Sequence, residues 1–81
     1  MSTLGDPTEL AKHIVSNPDI CGGRPCIKGT RMRVSDLLDA LAAGASRADI
    51  LADFPYITDE DISAALAFGA RASNHGVIRA A

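Results

Sequence analysis

The sequence predicts a mainly α-helical domain in which short N-terminal strands, or a hairpin, lead into a three-helix bundle. Three observations predict it. Between His13 and Val34, short apolar runs are separated by Gly- and Pro-rich turns. From Ser35 onward the apolar period becomes helical. Two capping boxes, Ser46 to Asp49 and Thr58 to Asp61, then mark helix starts. The spans follow: an arm with a short helix over 1–12, a domain over 13–72 with strands in 13–34 and helices in 35–72, and a tail over 73–81.

Each element has a local cause. Asp6 as N-cap, Pro7 at the first helical position and Glu9 three residues after the cap open a short helix that runs to about Lys12. His13-Ile14-Val15 reads as extended, and Asn17-Pro18-Asp19 as a turn. Gly22-Gly23-Arg24-Pro25 turns again into Cys26-Ile27-Lys28. Gly29-Thr30 breaks that strand at a position expected to need positive φ or a bulge, and Met32-Arg33-Val34 resumes it. Ser35 is expected to cap a helix with Val34, Leu37, Leu38 and Leu41 on its apolar face, ending at Gly44. Ser46 caps a second, with Ile50, Leu51 and Phe54 inward and Pro55 as its stop. Thr58 caps a third that runs to about Ala72, and Asp59, Glu60 and Asp61 suit the positive end of its dipole.

The third helix carries two apolar stripes. Ile62, Ala65, Leu66 and Gly69 form one; Ala64, Ala67 and Phe68 form another. A helix apolar nearly all round is normally covered on more than one side. Ala64, Ala67 and Phe68 are therefore the candidate interface with a partner or a second copy.

Composition bounds the function. In 81 residues there is room for one domain, and chains this short bury only about 60% of their unfolded surface. Hydrophobic residues make up 47% of the chain, but they are mostly small or aliphatic. The aromatics are Phe54, Tyr56 and Phe68, so the core is shallow and oligomerisation is expected. No signal peptide or apolar run of membrane-crossing length is visible, which predicts a cytoplasmic protein whose Cys21 and Cys26 stay reduced.

The net charge of −2 excludes a uniformly basic nucleic-acid binder, yet the charges segregate. Arg24, Lys28, Arg31 and Arg33 crowd the strand region. The acids, Asp36 to Asp61, dominate the helices, with Arg47 the one base between Ser35 and Ala70. Arg31 and Arg33 alternate, so they share a strand face, and a dimer would double the cationic surface. Those four residues are the candidate DNA contacts. The last two helices also fit a helix-turn-helix arrangement, but Asp59, Glu60 and Asp61 stand where base-reading residues would, and phosphates would repel them.

Other chemistry is poorly supported. Lys28-Gly29-Thr30 has the wrong order for a phosphate loop. Cys21 and Cys26 have metal-like spacing, but His13 and His75 lie at opposite ends of the chain. No nucleophile has a base within predicted reach, so neither catalysis, metal nor cofactor is expected.

Asn17-Pro-Asp-Ile-Cys-Gly-Gly-Arg-Pro-Cys-Ile-Lys-Gly-Thr-Arg-Met-Arg-Val34 closely resembles the signature of the domain-of-unknown-function 433 family. Leu41 with Gly44, Ala48 to Leu51, Phe54-Pro55 and Thr58 to Leu66 extend the match. The resemblance implies a homeodomain-like helical bundle preceded by strands. It also implies a dimeric antitoxin that neutralises a PIN-like ribonuclease toxin and binds its own promoter. Cys26 stands where that family usually has an aliphatic residue, as a packed thiol would. A stand-alone DNA-binding regulator using the basic strands is the alternative. Arg71, Val77, Ile78 and Arg79 form a cationic, partly apolar peptide suited to the acidic mouth of such a nuclease, and they are the candidate toxin contacts.

Overall fold

Proline at the first helical position gives a single turn of helix, α1 (Pro7–Leu10), in the computed structural model, which describes residues 7–19 and 21–73. Its expected N-cap, Asp6, lies outside them. The chain leaves α1 through turn hydrogen bonds from Lys12 N to Glu9 O and His13 N to Leu10 O, and enters β1 (Ile14–Val15). A 3-10 turn at Cys21–Gly23 follows, then β2 (Cys26–Ile27). The strands pair antiparallel, Ile14 opposite Ile27 and Val15 opposite Cys26.

Beyond β2 the chain doubles back. Gly29 has φ +81°, the left-handed conformation expected of it, and Thr30 ties the turn. The Thr30 hydroxyl donates to Ile27 O at 2.8 Å and accepts from Met32 N at 3.0 Å. Ile27 N then bonds Met32 O, and a single bridge joins Cys26 to Arg33.

Three helices complete the fold: α2 (Val34–Ala42), α3 (Arg47–Asp53) and α4 (Asp59–Ser73). The expected cap at Ser35 is corrected by one step. α2 begins at Val34, Arg33 is its N-cap with extended backbone, and no side chain caps it. Val34 is pinned by burial and by its N–H bond to Pro25 O, so the helix starts there and Ser35 falls within the first turn. The other end is as expected: Gly44, at φ +102°, donates to Leu41 O while Ala45 donates to Ala40 O, a Schellman closure.

The core joins both halves. Ile27, Leu37, Ile50, Ile62 and Cys26 are its largest fully buried side chains, and the Cys26 sulfur is not in a disulfide. α4 packs against α1, β1, α2 and α3. Its stripes differ from expectation in two residues. Ala64 is 0% exposed, spent on the chain's own core, so it cannot meet a partner. Leu66, expected inward, is 44% exposed. The buried arc is centred between Ala64 and Ile62 because α4 is covered from several sides at once, leaving Leu66 at its edge. Ala67 and Phe68 are half-buried against the core. Among the described residues no helix is long and apolar enough to cross a membrane.

Ile62→Ala should cost about 2–5 kcal/mol of unfolding free energy. Leu66→Ala, one turn further along the same helix, should cost less than about 1 kcal/mol. Urea denaturation of the two variants measures the difference.

Candidate partner-binding site

Acidic residues crowd the start of α4, and each is held from a different direction. Thr58 and Asp61 form the expected capping box: Asp61 N donates to Thr58 Oγ1 at 3.1 Å, and Thr58 N to Asp61 Oδ2 at 3.0 Å. The other carboxylate oxygen of Asp61 lies 2.9 Å from His13 Nδ1, which can only donate to an ionised carboxylate. Glu60 Oε2 stands 3.5 Å from the far ring nitrogen. Arg47, at the start of α3, reaches Asp59 Oδ1 and Asp59 O, each at 2.8 Å, and Ser63 Oγ at 2.6 Å. That hydrogen bond holds the Asp59 carboxyl below its ordinary range and raises the guanidinium. His13 therefore clasps β1 to α4, and Arg47 clasps α3 to α4. No local pattern in the sequence points to this role for His13, whose partner is 48 positions away.

Asp59 and Asp61 are thus engaged by partners within the chain. The four basic candidates, Arg24, Lys28, Arg31 and Arg33, are all exposed, but they are divided. Arg33 pairs with Asp36 at 3.6 Å. Arg31 lines a depression with Asp36, Met32 and the 59%-exposed Tyr56, whose ring meets Phe54 edge to face. Lys28 sits at the turn, its N–H bonded to His13 O. Arg24 edges a different depression.

That second depression is an open groove of about 490 Å³ between the start of α2 and the C-terminal half of α4. Val34, Leu38, Phe68, Gly69 and Ala72 give it an apolar lining, while Arg24, Pro25, Ser35 and Ser73 form the rest. Phe68, an interface candidate from the sequence, thus faces a groove, together with Leu38, which the sequence had assigned to the core. Arg71 lies in the last turn of α4, exposed, whereas Val77, Ile78 and Arg79 lie outside the described residues. Among the described residues no group of three or more His, Cys, Asp or Glu side chains could hold a metal ion.

A family model described as "Protein of unknown function (DUF433)" matches residues 14–69, from β1 into α4. The chain belongs to the DUF433 family. A crystal structure of a DUF433 member from Anabaena variabilis is similar at TM-score 0.75 and 32% identity, over 84% of this chain and 67% of the other. An uncharacterised protein, y4eO, of Sinorhizobium fredii is 41% identical over 59 residues, or 73% of this chain. The chain spans only 27% of that relative's length. The DUF433 match takes in the Arg47–Asp59 clasp, Asp61 and most of the groove, but not His13, and it stops short of Ala72 and Ser73.

Asp49→Ala should cost about 1 kcal/mol, the loss of one cap, and Asp61→Ala about 2–3 kcal/mol because the His13 hydrogen bond goes with the cap. In the Asp61→Ala background, His13→Ala should add little, as a double-mutant cycle would show. A lowered carboxyl pKa adds stability above the unfolded value and loses it as pH falls through the folded one. Arg47→Met should therefore flatten the pH dependence of the urea midpoint below about pH 4.

Proposed function

We propose that this DUF433 chain is a cytoplasmic binding module, not an enzyme. It acts as a homodimeric antitoxin of a type II toxin–antitoxin system that binds and neutralises a PIN-like ribonuclease toxin. The observation that carries the binding role is apolar surface that the described residues leave uncovered: the groove beside Phe68, together with Leu66 and Tyr56. In a chain whose core is built largely from Ala, Leu and Ile, such surface is costly unless another protein meets it. The toxin as partner rests on the family resemblance. Arg71 and the segment Val77-Ile78-Arg79 are the residues proposed to enter the nuclease, where cations suit a mouth lined with metal-binding carboxylates. Half-buried Ala67 is proposed for the second protomer, and Phe68, which lines the groove, for a protein partner.

The exposure of Arg24, Lys28, Arg31 and Arg33 favours one further activity, binding of the chain's own promoter through phosphate contacts. A gel shift with the upstream DNA over a salt series tests it, and no shift at low salt refutes it.

The main test is co-expression with the nuclease encoded by the neighbouring reading frame, read as growth rescue and as ribonuclease activity in vitro. The chain should restore growth and bind the nuclease; an active nuclease in the presence of excess chain refutes the reading. Arg79→Glu should weaken inhibition by about tenfold, the equivalent of one charge pair. Full inhibition by a chain cut after Ala72 would remove the tail from the mechanism.

A further inference from the structure

The groove between α2 and α4 has a chemistry that selects its occupant. Its floor is apolar, made by Leu38, Phe68, Gly69 and Ala72, and none of its lining residues is acidic. The single charge on the rim is Arg24, and among the described residues no carboxylate pairs with it. The Gly23-Arg24-Pro25 turn thus sets a guanidinium that no carboxylate of the described residues pairs beside an apolar trough. Arg33, nine positions on, is by contrast already answered by Asp36.

We propose that this groove receives an acidic amphipathic segment of a partner protein, its apolar stripe on Leu38 and Phe68 and a carboxylate on Arg24. This rests on the reading of the chain as a protein-binding module. A small ligand would need most of its surface enclosed, which an open groove does not provide, whereas a helix face needs only one stripe covered. The chain's own tail is a poor match in charge. After Ser73 it runs Asn-His-Gly-Val-Ile-Arg-Ala-Ala, in which no side chain is acidic and Arg79 is cationic. An acidic partner gains a charge pair where the tail meets repulsion.

The test uses the full chain, ¹⁵N-labelled, titrated with a synthetic Leu/Glu amphipathic helix and with its Leu/Lys counterpart. The Leu/Glu peptide should give saturable amide shifts centred on Leu38, Phe68, Gly69 and Ala72, and the Leu/Lys peptide much weaker ones. Arg24→Glu, at an exposed loop position, should weaken the Leu/Glu peptide by at least about tenfold and favour the Leu/Lys peptide instead. Ala72→Glu, on the exposed side of α4, should weaken the Leu/Glu peptide while leaving the circular dichroism unchanged.

Shifts that do not saturate, map elsewhere or ignore the charge swap overturn the proposal. So does a chain cut after Ser73 that gains binding, which would make the tail the occupant. A concentration-dependent dimer dissolved by Ala72→Glu would assign the groove to a second copy, and displacement of the peptide by laurate at equal strength in Arg24→Glu would assign it to apolar ligands at large; each refutes it. Failure of the charge swap with nuclease inhibition intact removes the groove and spares the antitoxin; a working swap without inhibition does the reverse.

Discussion

A helix that packs against α1, β1, α2 and α3 must keep its first turn in register with all of them, and in α4 that turn carries three consecutive acids. Left bare, Asp59, Glu60 and Asp61 would repel one another; the helix dipole offsets only part of that. The remainder is answered by two long-range cross-links, His13 to Asp61 from β1 and Arg47 to Asp59 from α3. The two are not equivalent. The His13 and Asp61 side chains are only 18% and 15% exposed, so their hydrogen bond forms largely out of water, where such bonds are stronger. The Arg47 pair is exposed and screened, and its value is chiefly geometric, since the same guanidinium also holds Asp59 O and Ser63.

Local chemistry made much of this legible in the sequence. Pro7, the two capping boxes, Gly29 and Gly44 each demand one backbone conformation, and each is found in it. The helical period of Leu37, Ile50 and Ile62 likewise located the core. What could not be read was whatever depends on two distant segments meeting. Val34 reads as the end of a strand until its N–H is seen bonded to Pro25 O, which moves the start of α2. His13 shows its role only when the start of β1 is laid against α4. Ala64 and Leu66 exchange roles because periodicity tells how many faces of α4 are apolar, not which neighbour covers which.

The site was legible in kind rather than in place. Segregated charge correctly marked the strand region as the exposed cationic part of the chain, but the hairpin and the start of α2 distribute those cations. Arg33 is neutralised locally, Arg31 stands beside Asp36 and Tyr56, and Arg24 beside an apolar groove. A continuous phosphate-binding stripe asks for cations on one face, and the fold gives these cations different neighbours instead.

The groove itself follows from how α4 is made. Ala64 and Ala65 are fully buried, and small side chains let neighbouring elements approach closely while contributing little more than a methyl each, about 0.8 kcal/mol per buried carbon. At Gly69 the approach is closest: a Cβ there would stand 3.1 Å from Leu38 Cδ1. The packing that brings α2 onto α4 thus uses residues too small to fill the space beside Phe68. A methyl at position 69 would have to push the end of the Leu38 side chain aside by a few tenths of an ångström, and Leu38 lines the groove, so the seating of α2 on α4 and the shape of the groove depend on the same glycine.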